Sequence, residues 1–272
     1  MNAGMADLLD LRATHNPHRW YLPITEELTV GRVGSTFLFG GIGLAAGVTA
    51  LERTCGRPVV WATAQYLSFA RPGSVLDIDV WTPAQGRTVT QARAIGHVGD
   101  HEVLTVNAAL GHRAEAPADQ WPQAPAAAAP LDCRLVTRDA LEHTGLHDRL
   151  EIRIASGRYR TDRAMEGRSA DGRMMLWIRP REDWKVDAGA LALFGDYLAS
   201  CVGNAMGERI GVNSLDNTIR FGPIVETDWV LCEVRITLLY GGFAHGAMHM
   251  FSEDGRLMAI GSQSMVLRGA LP

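Results

Sequence analysis

Three polar side chains stand inside otherwise apolar, strand-like runs of the second half. Asp216 lies among Leu215, Ile219 and Phe221, Thr237 closes a run that begins at Trp229, and Gln263 lies between Ile260 and Val266. A carboxylate can take up a proton, while a hydroxyl and a carboxamide can donate and accept hydrogen bonds. Polar groups placed in such strands must find partners or face a cavity. Taken singly, each has a bland reading. A lone buried Asp in a strand is usually a hydrogen-bonded structural group, and Thr is ordinary there by propensity. Gln within an apolar strand is less ordinary, and the order of the three makes the set worth following.

Other motifs fail. Gly41-x-Gly43-x-x-Ala46 matches a dinucleotide-binding fingerprint in outline, but that site needs a parallel βαβ unit and an acid about twenty residues further on. Hairpin-linked strands follow instead, so the glycines read better as a helix start that approaches another backbone with free N–H groups. No serine stands in G-x-S-x-G. His101-Glu102 lacks a second histidine at zinc-helix spacing. His245 and His249 are four apart in a strand-like run, roughly 13 Å, too far to share a metal. His143 and His147 read as solvated histidines. The arginines from Arg149 to Arg181 read as a solvated face, interrupted by Asp148, Glu151, Asp162, Glu166 and Asp171. Neither metal nor cofactor is expected.

The elements that must position the three polar residues fall into two similar sets. An Ala/Pro-rich stretch from Ala114 to Asp132, with Pro117, Pro122, Pro125 and Pro130, reads as a linker near the middle of the chain. Before it, Trp20–Glu26 and Thr29–Leu38 look extended. Ile42–Cys55 has helical spacing and ends at Gly56. Strand-like runs Val59–Phe69, Val75–Thr82, Thr88–Val98 and Glu102–Leu110 follow, with turns at Pro72-Gly73, Gln85-Gly86 and Gly99-Asp100. After the linker come strands at Leu150–Ala155 and Met174–Ile178, one long apolar helix at Ala188–Met206, and strands at Asn213–Phe221, Trp229–Thr237, Ala244–Phe251 and Leu257–Leu267. This is an α+β tandem repeat, with domains expected at 1–113 and 136–272 around a linker at 114–135. Each helix must bury its apolar faces against a curved antiparallel sheet.

Composition agrees. Hydrophobic residues form 47% and charged residues 21% of 272 positions, the balance of a packed globular chain. A net charge of -4 gives no general pull toward nucleic acid or anionic lipid. The four cysteines form no C-x-x-C pair, which suits reduced thiols and a cytoplasmic protein. No signal peptide is evident at Met1–Asp10. The apolar stretch Phe37–Leu51 is short for a bilayer span and is expected as a buried helix.

Several segments carry a family resemblance. Ser214-Leu215-Asp216-Asn217-Thr218-Ile219-Arg220-Phe221 resembles the Ser-Leu-Asp-His strand of the acyl-CoA thioesterase II family. Trp229-Val230-Leu231 with Glu233-Val234 and Thr237 resembles its next strand, and Asp254-Gly255-Arg256-Leu257-Met258-Ala259 leading to Gln263 and Arg268 its last. Phe39-Gly40-Gly41 and Tyr66-Leu67-Ser68-Phe69-Ala70-Arg71-Pro72-Gly73 resemble its N-terminal half. The sequence departs from the pattern at Asn217 and Gly222, where histidine is common, and at Ser264, where glutamate is common.

The resemblance implies a double hotdog, two repeats each wrapping an antiparallel sheet around one long helix. It also implies hydrolysis of an acyl-CoA thioester by a water that Asp216, Thr237 and Gln263 hold and activate. The chemistry is consistent: a thiol of pKa about 8.5 leaves readily as thiolate, so no strong general acid is required. Asp216 is then the general base, in a partly desolvated site that raises its pKa, with Thr237 and Gln263 orienting the water. Substrate contacts are expected at Gly40, Gly41, Tyr66 and Asn217, with helix-start N–H groups at Gly40-Gly41 stabilising the oxyanion. Aligning the halves places Ala64 opposite Asp216, Pro83 opposite Thr237 and Ala109 opposite Gln263, so one competent site per chain is expected. The alternatives are a hotdog enoyl-thioester hydratase or dehydratase and a non-catalytic acyl-CoA or lipid binder. Self-association into a homo-oligomer is expected because sheet edges need covering.

Overall fold

The structure, a computed structural model, describes residues 8–113, 116–137, 145–159, 167–182 and 184–268. The first half runs β1 (Arg12–Ala13), β2 (Arg19–Pro23), a 3-10 turn at Glu26–Leu28, β3 (Thr29–Arg32), β4 (Ser35–Leu38), α1 (Gly40–Cys55), β5 (Val59–Tyr66), β6 (Val75–Gln85), β7 (Val89–Val98) and β8 (His101–Gly111). Helix α1 starts two residues before the expected Ile42 and ends where Gly56 takes a left-handed φ of 63° and donates its N–H to the Glu52 carbonyl. Ile42, Leu44, Val48 and Leu51 are all buried, as the helical spacing requires.

The second half runs β9 (Arg134–Leu135), a 3-10 turn at Gly145–Arg149, β10 (Leu150–Ser156), β11 (Arg173–Pro180), α2 (Ala188–Gly195), a 3-10 segment at Asp196–Ser200, α3 (Cys201–Met206), β12 (Gly211–Ser214), β13 (Asp216–Phe221), β14 (Val230–Tyr240), β15 (Phe243–Ser252) and β16 (Leu257–Arg268). The single long helix expected at Ala188–Met206 is thus three consecutive helical segments. The tightening begins at Asp196, whose N–H points to both the Leu193 and the Phe194 carbonyls. The strand expected at Asn213–Phe221 is likewise interrupted at Leu215, where β12 gives way to β13.

All major strands join one antiparallel sheet in the order β1-β2-β6-β7-β8-β5-β13-β16-β15-β14-β11-β10-β9, with β12 also pairing β16. The halves meet at β5 and β13. Asp216 pairs with Gln65, Asn217 with Ala64 and Thr218 with Thr63, and the two threonine hydroxyls hydrogen-bond at 2.7 Å. A single apolar core includes residues of α1, α2, the 3-10 segment and the buried sheet face of both halves.

The Ala/Pro-rich linker is strapped to the second half. Ala124 and Ala127 pack on a separate cluster of Cys133, Met175, Trp177, Trp229, Leu231 and Phe251. Trp177 Nε1 donates to the Ala128 carbonyl at 3.0 Å, and the Gln120 side chain bridges the Gly255 carbonyl and the Leu257 N–H. Two expectations for neighbouring residues change. His147 is buried, with Nδ1 3.2 Å from the Tyr197 hydroxyl, while His143 lies outside the described residues. Among the described arginines several are paired: Arg153 and Arg179 both engage Glu151, Arg173 meets Glu233, and Arg149 joins Glu27 to Glu182.

Candidate active site

Helix α1 begins without a cap of its own, because Phe39 offers no side-chain acceptor to the first free N–H groups. The acceptor comes from the other half of the chain. Asp196 Oδ2 takes the Gly41 N–H at 2.8 Å, so a carboxylate sits at the positive end of the helix. Only glycines permit this approach. A Cβ on Gly41 would lie 2.7 Å from the Leu193 carbonyl oxygen and 2.9 Å from Asp196 Cβ. One on Gly40 would lie 2.8 Å from Asp196 Oδ2 and 3.1 Å from Tyr66 Cζ. The glycine pattern therefore serves backbone contact, and the Gly41 N–H expected at an oxyanion is already engaged.

Asp196 is 3% exposed. Its second oxygen, Oδ1, accepts from Gln263 Nε2 at 2.5 Å and from Ser214 Oγ at 3.2 Å, and Gln263 Nε2 also reaches Ser214 Oγ at 2.8 Å. Burial pushes the Asp196 carboxyl above its ordinary value. Gln263, the Gly41 N–H, Ser214 and the nearby Asn217 amide pull the other way. Around this carboxylate stand buried polar atoms without a hydrogen-bond partner among the described residues: Gln263 Oε1, both ends of the Asn217 amide, and the Tyr66 hydroxyl. Asn217 lies beside both Asp196 and Tyr66 without hydrogen-bond geometry to either. Burial raises the Tyr66 phenol well above its usual range, and the carboxylates of Asp196 and Asp216 add to the effect. Native interiors leave few such atoms unpaired, and a cluster of them marks a place where a polar ligand can bind.

Asp216 is half-buried, and its Oδ1 accepts the Ser264 N–H at 2.6 Å. The residue before Ser264 is Gln263, so Asp216 meets the β16 backbone one residue from the carboxamide, although Gln263 itself is buried on the core face with Asn217. Thr237 stands apart. It is exposed, at a register shift of β14 between Ile236 and Leu238, and its hydroxyl donates to the His245 carbonyl at 3.0 Å. With strands roughly 4.8 Å apart, the three steps from β13 through β16 and β15 to β14 span about 14 Å along the sheet. Among the described residues no hydrogen bond joins Asp216, Thr237 and Gln263 to one another. His245 links the rows, pairing with Ser264 across β15 and β16 and placing Nδ1 3.2 Å from Ser264 Oγ.

The burial of the residues set opposite one another in the half-to-half alignment differs. Ala64 is buried and pairs with the buried Asn217, whereas Asp216 is half-buried and pairs with Gln65. Because side chains alternate faces, Ala64 shares its face with Asn217 and not with Asp216. Pro83 does resemble Thr237 in one respect: β6 also shifts register there, between Trp81 and Ala84. Sequence reading missed Asp196. The signal was present, since it is the sole charged residue between Asp187 and Glu208, in a run otherwise fit for burial.

Among the described residues, no three His, Cys, Asp or Glu side chains gather as a metal site, and no helix is long and apolar enough to cross a membrane.

The family of acyl-CoA thioesterase C-terminal domains matches residues 117–267. A solved protein of Novosphingobium aromaticivorans, provisionally assigned as a thioesterase, is 34% identical, with a TM-score of 0.86 over 95% of this chain and 98% of that one. A hot dog fold protein of unknown function from Alicyclobacillus acidocaldarius is 18% identical, with a TM-score of 0.82 over 96% of each chain. The acyl-CoA thioesterase II TesB2 of Mycobacterium marinum is 18% identical, with a TM-score of 0.74 over 97% of this chain and 98% of that one. These two show the shared hotdog architecture. No curated protein matches this chain.

Proposed function

The chain belongs to the acyl-CoA thioesterase family, and we propose that it hydrolyses acyl-CoA thioesters with one water held at the Asp216–Gln263 junction of its second half. The observation that supports this placement is the Gln263 carboxamide. It is 3% exposed and held by Asp196 and Ser214, and it presents an unpartnered Oε1 one residue from the N–H that anchors Asp216.

The reaction follows from these groups. Asp216 takes a proton from the water as the water oxygen bonds to the thioester carbon, and the C=O electron pair moves onto oxygen. The Tyr66 hydroxyl and Asn217 Nδ2, buried donors without partners among the described residues, meet the charge that develops there. Collapse re-forms C=O and breaks C–S, and the thiolate leaves with the bonding pair. The proton held by Asp216 then passes to the sulfur or to solvent. Gln263 orients the water, while Gly40 and Gly41 allow the close contact that sets Asp196 beside it. Thr237 is retained as the second orienting group on the family resemblance alone, since its hydroxyl here is bound to the His245 carbonyl. Four free cysteines, three of them buried, suit a reducing cytoplasmic setting.

A panel of straight-chain, branched and aromatic acyl-CoAs, followed by release of free thiol, tests the proposal. Turnover of at least one class is expected, and no release from any class overturns it.

A further inference from the structure

Asp196 is a buried carboxylate that the hydrolysis does not call for, and its contacts constrain a group that it does. Both Asp196 oxygens act as acceptors: Oδ2 takes the Gly41 N–H, and Oδ1 takes Gln263 Nε2 and Ser214 Oγ. The Gln263 amide nitrogen has two N–H groups, and both have acceptors, Asp196 Oδ1 at 2.5 Å and Ser214 Oγ at 2.8 Å. A carboxamide so held cannot rotate end for end without setting its carbonyl oxygen against a carboxylate.

We infer that Asp196 is a positioning residue: by engaging the amide nitrogen of Gln263 it leaves Oε1 alone to face the reacting water, so that Gln263 works only as a hydrogen-bond acceptor. The inference rests on the hydrolytic reading and deepens it. A water that donates one O–H to Gln263 Oε1 and the other to the Asp216 carboxylate turns its lone pairs toward the thioester carbon. A Gln263 presenting Nε2 would instead compete for those lone pairs. The same carboxylate caps α1, so the first half reaches Asp196 through a backbone N–H as well as offering the Tyr66 hydroxyl nearby.

The contact has a direction, and that direction can be reversed. In Asp196→Asn only one acceptor oxygen remains, and with it kept on the Gly41 N–H the Asn Nδ2 faces the Gln263 Nε2, two donors in contact. Gln263 relieves this by turning over, which removes the acceptor from the water. In the double variant Asp196→Asn/Gln263→Glu the bond re-forms with its polarity exchanged. The Asn amide donates to one Glu oxygen, and the other Glu oxygen faces the water as Oε1 does.

The test measures kcat and KM for thiol release, together with melting temperature, in the wild type, Asp196→Asn and the double variant. Asp196→Asn is expected to lose on the order of 10²-fold in kcat with KM little changed, the scale of a misplaced reacting group. The double variant is expected to recover most of that loss. An unchanged kcat in Asp196→Asn, or a folded double variant no faster than the single, overturns the role of Asp196. If Asp196→Asn does not fold, Ser214→Ala reads the same geometry by freeing one N–H of the amide. Lower kcat at constant KM is expected there, and an unchanged kcat overturns the inference. A wild type that releases no thiol overturns the thioesterase reading itself, whereas an active wild type with an unrescued exchange overturns only the role of Asp196.

Discussion

The two halves bury their helices in different ways. In the first half, α1 lays glycines against aliphatic side chains: a Cβ on Gly43 would meet Leu104 at 3.2 Å, and one on Gly47 would meet Val106 at 2.8 Å. The buried residues of β8, namely Val103, Leu104, Val106, Ala108, Leu110 and Gly111, include no polar side chain. In the second half the helical run tightens at Asp196, and Gln263 of β16 reaches that carboxylate across the core. The first half thus packs α1 mainly through apolar contacts, and the second carries a connected set of buried polar groups whose desolvation must be offset by hydrogen bonds. On the proposed reading, one copy supplies a helix N-terminus and the Tyr66 hydroxyl, and the other supplies Asp216, Asn217 and Gln263.

The sharpest way to break this contrast is to truncate a matched buried residue in each half. Gln263→Ala is expected to lower kcat on the order of 10²-fold or more, since an orienting group is lost. Leu104→Ala is expected to leave kcat near wild type while costing about 2–5 kcal/mol of stability. Thiol release and denaturant melts check both, and a Leu104→Ala that unfolds nothing but abolishes turnover would reverse the assignment of the halves. Next in size is Gly41→Ala. Its new methyl meets the Leu193 carbonyl and Asp196, so a loss of about 1–3 kcal/mol is expected together with reduced turnover.

The pH response reads Asp196 itself, through comparison with Asp196→Asn. Burial raises the Asp196 value above the ordinary 3.8, so the folded chain keeps this proton where the unfolded chain releases it. Asp196 therefore stabilises the fold most below the ordinary value, and that contribution is lost as pH rises through the raised one. Relative to Asp196→Asn, the wild-type melting temperature should fall across that window as pH rises. A wild-type advantage that grows with pH contradicts the account. The smallest effect is expected at the linker, where Gln120→Ala removes contacts to Gly255 and Leu257 and should cost about 1 kcal/mol without altering turnover.

Much of this architecture is legible in the sequence, because long apolar periodicities and turn residues report directly on elements. Helix α1 lies within two residues of its expected start, and Gly56 ends it as a left-handed cap. What escapes is whatever depends on contact between distant segments. Asp196 reads as one acid in an apolar helix, and nothing local shows that it caps a helix 155 residues away. The break at Leu215 and the pairing of β5 with β13 escape for the same reason, since pairing register belongs to the assembled sheet. Thr237 has the right order and residue type for the site, but it lies on an exposed stretch two strands beyond Gln263.

The most direct test of a hydrolytic second half compares thiol release from an accepted acyl-CoA by the wild type and by Asp216→Asn, with matched melting curves. The account predicts a folded variant whose kcat has fallen by roughly 10²–10⁴-fold, the range for loss of a general base. A folded Asp216→Asn that turns over at the wild-type rate would contradict it.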